Sequence, residues 1–210
     1  MTESRREREK ETRRQLIIDT AGKVFLERGF EPATMDEIAK RSEFTKRSVY
    51  SYFPSKDELF AAVILKASES LYRLFVEMVS ERTTGFERIA GTGEAYIRFY
   101  REYPLGFRIL SMRRHGGMEQ NGEYREKIQK LWAGVSDIMM KSFELGRKDG
   151  TIRADIDAKT GSIHLMCASN GILEFVAAAG KDFKKRYGMN AEDFIVTSMT
   201  LLGDSIKVQK

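Results

Sequence analysis

Between Gly29 and Ser55 the sequence stops and restarts a helix three times, and that close punctuation is the tightest constraint on the fold. Ile17, Ala21, Val24 and Phe25 recur at helical spacing over about 13–28, up to Gly29, a residue suited to end a helix, after which Phe30 can pack back. Thr34 is a good N-cap, and Glu37 three residues on completes a capping-box pattern. The helix it opens spans only about 35–42. Thr45 caps the next, with Phe44 before it and Val49 after it as a hydrophobic staple. Pro54 ends that helix, because the residue before a proline is pushed out of helical geometry. Ser55 and Glu58 then start a long amphipathic helix whose stripe includes Leu59, Phe60, Leu71, Leu74, Phe75 and Met78. Short helices in this number have to be packed against one another and against that long one.

The rest of the 210 residues is written in the same helical style. Helices are expected at about 84–102, in a short segment after Pro104, at about 120–149 after a His115-Gly116-Gly117 break, and at about 157–180 and 190–207. No alternating strand pattern, internal repeat or low-complexity linker interrupts them. With only three prolines, the chain reads as all-α. The stretch at 162–180 is apolar but carries His164, Asn170 and Glu174, so a buried helix at a subunit contact is expected rather than a membrane span. Met1 to Arg14 is almost all charge, unlike a secretory signal. The single cysteine, Cys167, lies among Leu165, Met166 and Ala168 and is expected to be an inert core thiol of a cytoplasmic protein.

The segment FTKRSVYSYF has two faces. At about 100° per residue, Val49 and Phe53 fall together with Tyr52 beside them, while Lys46, Arg47, Tyr50 and Ser51 fall on another side. So short a helix does not hold by itself in water, so a scaffold must hold it, and its polar face is what it presents. A short helix, a tight turn and a short polar-faced helix is the geometry of a helix-turn-helix, whose second helix enters the DNA major groove. Lys and Arg reach guanine edges or phosphates, and hydroxyls serve either. The net charge of +5 permits such a partner, and the first 56 residues hold thirteen Lys or Arg against ten Asp or Glu. Arg13 and Arg14, in the charged N-terminal run, read either as a solvated helix start or as an arm along a phosphate backbone. A structural corner with a solvated basic face remains the alternative for the short helix itself.

The run over residues 17–63 resembles the N-terminal DNA-binding domain of the TetR family of transcriptional regulators. Ala21, Phe25, Gly29 and Phe30, then Thr34, Ile38 and Ala39, then Thr45, Val49, Tyr50, Tyr52, Phe53, Lys56, Leu59 and Phe60 carry the resemblance. It implies a three-helix DNA-binding domain at 1–56, joined by a long fourth helix to a helical ligand-binding and dimerisation domain at 57–210. It implies that Thr34 and Thr45 cap the second and third helices, with Thr45 near phosphate. Lys46, Arg47 and Ser48 then begin the recognition helix, Tyr50 and Tyr52 contact backbone or pack, and Lys56 lies beside a phosphate. Two departures stand out. The family's turn often reads Ala-Gly-Val-Ser where this chain has Ser42-Glu43-Phe44-Thr45, and Arg47 stands where a small residue is common. A left-handed Glu43 costs about 1–2 kcal/mol.

Residues carry the reading of the C-terminal half. Ile195, Met199, Leu202 and Ile206 form one stripe, and Gly161, Ala168, Gly171, Ala177, Ala178 and Gly180 permit close helix approach in the helix before it. Two such helices from each of two chains make a four-helix homodimer contact. Adaptable Met and aromatic side chains suit a mainly apolar effector cavity. Its candidate walls are Tyr96, Phe99, Tyr100, Phe107 and Met112, then Trp132, Met139 and Phe143, and finally Met166 and Phe175, with Met118 and Met140 as further candidates. Neither His115 nor His164 has a metal-ligand neighbour at helical spacing, and no cofactor is expected. The chain shows no Gly-rich phosphate loop, nucleophile elbow or Cys–His pairing, so an enzyme is not expected. The expected function is a ligand-responsive regulator, in this family usually a repressor, binding a palindromic double-stranded operator as a dimer. The alternative is a helical adaptor that binds a protein partner without DNA recognition.

Overall fold

The computed structural model describes residues 5–116 and 123–208. The helices are α1 (Arg5–Arg28), α2 (Met35–Arg41), α3 (Lys46–Tyr52), α4 (Lys56–Ser80), α5 (Gly85–Glu102), α6 (Pro104–Gly116), α7 (Glu123–Asp149), α8 (Ala158–Ala179), α9 (Phe183–Tyr187) and α10 (Ala191–Ile206), with a 3-10 turn, η1 (Gly180–Asp182), before α9. Every regular element among the described residues is helical, and one isolated antiparallel bridge pairs Ile152 with Lys207. The all-α expectation therefore holds. Helix α1 begins at Arg5, which agrees with the reading of the charged run as a solvated helix start, and Arg5 and Glu9 pair one turn apart there at 3.0 Å. One element differs from the sequence reading: residues 180–187, where no helix is expected, form η1 and α9 because Phe183 is buried beneath Phe175, Tyr187 and Phe194. Met118 lies outside the described residues.

The chain forms two compact units, Met1–Glu69 with Pro104–Lys130 and Ser70–Tyr103 with Leu131–Lys210. The first is built on Phe25, Phe30 and Phe60, whose rings lie 5.0–5.7 Å apart. Ile17, Ala21, Ile38, Val49 and Phe53 close around them with no exposed surface. These are the residues that the 3.6-residue periodicity selects, and their burial is what holds the short helices.

The second unit packs α8 on α10 and both on α5. Its tightest point joins the start of α5 to the end of α7. Gly85 N–H donates to Asp149 at 2.8 Å and Phe86 N–H to the Thr151 hydroxyl at 3.1 Å, satisfying two donors at the helix start. A Cβ at Gly85 would overlap the Gly146 backbone. The complete capping box is also here. Glu87 N–H donates to Thr84 at 3.2 Å, and the Glu87 carboxylate accepts Thr84 N–H at 3.0 Å. At α2 only the Thr34 half forms, at 3.1 Å, and the Glu37 carboxylate is engaged by Arg41 at 2.8 Å and Arg28 at 3.3 Å.

Two outcomes follow from this packing. Gly85→Ala is expected to lower stability by about 1–3 kcal/mol in denaturant unfolding, since backbone rather than a mobile side chain must move. The Glu87 carboxyl is held down to about 2, first by the Thr84 backbone N–H and then by the Thr83 hydroxyl. Its folded value lies below its ordinary 4.5, so its contribution is complete above about 4.5 and is lost as pH falls toward 2. An acid titration of Tm should therefore fall less steeply over that window in Glu87→Gln than in the parent chain.

Candidate nucleic-acid interface and effector cavity

Helix α3 is suspended from its ends and one face. The Thr45 hydroxyl accepts Ser48 N–H at 3.1 Å, and Phe53 N–H closes the helix on the Val49 carbonyl at 2.9 Å. Val49 and Phe53 are fully buried, Ser48 and Tyr52 half-buried, and Lys46, Arg47, Tyr50 and Ser51 exposed. Those four side chains share a face, as the projection predicts. The Ser51 hydroxyl donates to the Ser48 carbonyl at 2.6 Å. Lys46 Nζ lies 2.7 Å from the Asp36 carboxylate on α2, a hydrogen bond that raises the lysine pKa. Arg47 makes no hydrogen bond or ion pair with any described residue.

The other cations expected at phosphate divide. Arg13 is exposed. Arg14 is half-buried, donates to the Tyr124 hydroxyl at 2.8 Å, and stands over the Phe53 ring at 5.2 Å from its centroid. Lys56 Nζ donates to the carbonyls of Phe30 at 2.8 Å and Glu31 at 3.0 Å, above the Phe30 ring. Arg14 and Lys56 thus brace the domain, because the carbonyls and ring faces around them compete for the same charge a phosphate would take.

The second unit contains a cavity of 530 Å³. Of the candidate wall residues, Tyr96, Trp132, Met139 and Met166 line it. Leu71, Phe75, Phe86, Ile89, Leu165 and Met199 supply more of its apolar lining, and Thr92, Ser169 and Thr200 add hydroxyls. Tyr96 donates to the Asn170 side-chain oxygen, which places a polar pair in this apolar wall. Arg101, Glu94, Asp204 and Lys207 are the charged lining residues. Arg101 pairs with Glu192, Glu94 with Arg82 at 2.7 Å, and Lys207 stands 5.0 Å over the Phe86 ring.

The remaining expected wall residues lie elsewhere. Phe99 is fully buried and stacks on Tyr103, and Tyr100 is half-buried on the same helix. Phe143 fills the space that a side chain at residue 161 would need. Phe107 and Met112 belong to α6 in the first unit. Phe175 is 43% exposed at the edge of the α9 aromatic cluster. Composition marks such residues as apolar but not as lining, since only tertiary packing leaves a gap beside one stripe and closes another. Phe75, Met199 and Leu202 sat on visible stripes; Phe86 and Lys207 carried no such signal.

Helices α8 and α10 leave apolar side chains uncovered, with Ile163 48%, Val196 49% and Leu201 65% exposed. Cys167 is exposed on the same side of α8 as Ile163 and Gly171. This corrects the expectation of a core thiol: its apolar neighbours in sequence point to other faces of the helix. By length and composition α8 with its extension to Tyr187 could also cross a membrane.

Residues 17–63 match the family profile described as "Bacterial regulatory proteins, tetR family". Over that segment the chain is similar to the DNA-binding domain of the TetR family. Among its relatives, the transcriptional activator FasR of Mycolicibacterium smegmatis is 34% identical over 100 residues, covering 48% of this chain and 45% of FasR. The chain therefore spans about half the length of FasR. The transcriptional repressor KstR2 of Rhodococcus jostii is 28% identical over 161 residues, covering 71% of this chain and 72% of KstR2. Among solved structures, AibR in complex with isovaleryl coenzyme A and operator DNA superposes with a TM-score of 0.73 at 20% identity, covering 90% of this chain and 97% of AibR. At that identity the likeness is one of fold.

The turn between α2 and α3 carries a strained residue. Glu43 has φ 61°, the one positive φ outside glycine among the described residues. The conformation lets Phe44 N–H reach the Ala39 carbonyl at 3.0 Å, ending α2 and aiming the chain at Thr45. Glu43→Gly is expected to raise stability by about 0.5–1 kcal/mol in urea unfolding, the left-handed strain relieved less the added freedom of the unfolded chain.

Proposed function

We propose that the chain is a ligand-responsive transcriptional repressor that binds a palindromic operator as a homodimer. Residues 1–56 make the DNA contacts and residues 57–210 hold the effector and dimer surfaces. The observation that carries this reading is α3, whose polar face of Arg47, Tyr50 and Ser51 is exposed while Val49 and Phe53 fix it from behind. An exposed polar helix of this size, placed second in a helix-turn-helix, fits the major groove. The longer of the two relative alignments is with a repressor, which favours repression. The adaptor alternative gives α3 no task and is not favoured.

The exposed strips of α8 and α10 support the dimer. Cys167, Gly171 and Ala178 are small enough for a second copy's helices to approach closely, and Ile163, Val196 and Leu201 supply the area. Two-fold symmetry then sets two copies of α3 about one DNA turn apart. The cavity's walls favour an effector with an apolar body and hydrogen-bonding capacity near Tyr96 and Asn170. The AibR complex, which holds isovaleryl coenzyme A, lends weight to an acyl-type body. Binding shifts the population between two conformers by its differential affinity for them.

Fluorescence anisotropy of the full chain on its own upstream intergenic duplex, against a shuffled duplex at two salt concentrations, tests the operator reading. Tight binding to the native fragment alone, retained at the higher salt, is expected; equal and salt-fragile binding to both contradicts it. Trp132 is the single tryptophan and lines the cavity, so its emission reports occupancy. A branched-chain acyl thioester is expected to shift that emission and weaken operator binding over the same concentration range. A shift that leaves DNA affinity unchanged would remove the effector role from this cavity.

A further inference from the structure

We propose that Arg47 reads a guanine in each operator half-site, while Asp36 withholds Lys46 from the phosphate backbone. The inference rests on the operator-binding function above and divides two adjacent cations that the sequence presents as equivalent.

The division begins with direction. At about 100° per residue, Arg47 lies about 160° around α3 from the buried Val49, at the centre of the exposed face, with Tyr50 and Ser51 on either side. Lys46 lies only about 60° from Val49 and about 20° from Phe53, on the flank turned toward the rest of the domain. That flank is where Asp36, in the first turn of α2, meets its ammonium at 2.7 Å. Both side chains are more than half exposed, so the pair is open to exchange with solvent ions.

Chemistry follows direction. Arg47 is free of internal partners among the described residues, and its planar fork of donors matches guanine O6 and N7 together. A bidentate contact needs an unengaged guanidinium in the centre of the groove-facing surface, and Arg47 is the cation on α3 that meets both conditions. Lys46 is a point charge, and Asp36 engages one of its three donors and offsets its charge. A phosphate contacting Lys46 meets an ammonium already paired with a carboxylate that itself repels the DNA backbone. The pair therefore subtracts from sequence-independent affinity and leaves base reading by Arg47 untouched, which raises the ratio of specific to non-specific binding.

The test is selection of bound sequences from randomised duplexes by the full chain, in wild type, Arg47→Ala and Arg47→Lys, followed by salt titrations of Asp36→Asn. Matching thermal melts show that the variants fold. The wild type is expected to enrich a palindrome with a fixed G·C pair in each half-site. Arg47→Ala should lose preference at that pair alone, with binding of the wild-type sequence weakened roughly ten-fold or more per half-site. Arg47→Lys keeps the charge and can reach the same guanine edge without the fork, so it should retain only part of the preference, which separates the fork's contribution from charge. Asp36→Asn should tighten binding to operator and shuffled duplex alike, with the salt slope steeper by about one per half-site. A guanine preference that survives in Arg47→Ala overturns the inference while leaving the operator reading intact. Unchanged affinity and slope in Asp36→Asn overturn the withholding of Lys46. A wild type that enriches no sequence overturns the operator reading, and this inference with it.

Discussion

The burial of Val49 and Phe53 is the contact on which the exposed polar face of α3 depends. Helix α3 has seven residues, too few to persist in water, and its sequence is poor in strong helix formers. Two fully buried side chains and the Thr45 cap hold it. Beside them Phe25 of α1, Phe60 of α4 and Phe30 of the loop after α1 form an edge-and-tilt aromatic cluster. A rigid presentation of a few polar groups is thus built from a core whose residues touch no ligand. Strain is accepted at one point: Glu43 takes a left-handed backbone so that α2 can end where Thr45 must begin α3.

The cations show how the same domain limits its own charge. Arg14 and Lys56 are drawn inward by a phenol, ring faces and two carbonyls, and Lys46 is met by Asp36. A surface that is basic by composition is thereby less basic in its free charge. Under the proposed function this matters, because phosphate attraction is the same everywhere along DNA and only base contacts tell sites apart.

The second unit solves a different problem, that of leaving space inside a packed interior. Close packing at Gly85 against Gly146, and of Phe143 against Gly161, fixes helix spacing at places where backbone approaches backbone or ring. Away from those points, Trp132, Met139, Leu165 and Met166 stand around 530 Å³ that no side chain fills. The polar pair Tyr96 and Asn170 sits within that wall. Such a cavity, with apolar walls and few polar groups, orients a ligand through those few groups.

Sequence by itself determined the helical class, the short-helix punctuation between Gly29 and Ser55, the caps at Thr34 and Thr45, and which side chains of α3 share an exposed face. These are local properties, set by 3.6-residue periodicity, cap chemistry and the backbone limits of proline and glycine, so they can be read one segment at a time. The left-handed Glu43 was suggested only by the resemblance, whose turn often has glycine at that place. Tertiary structure decided what depends on residues distant in sequence. It paired Lys46 with Asp36, turned Arg14 toward Tyr124, brought Phe183 beneath its aromatic neighbours to make α9, and exposed Cys167. It also chose Tyr96, Trp132, Met139 and Met166 as cavity walls while burying Phe99 and Phe143. An apolar residue's pattern states that it seeks cover, but whether it meets a neighbour, a void or an open surface is set by the summed geometry of several helices, which no single stripe encodes.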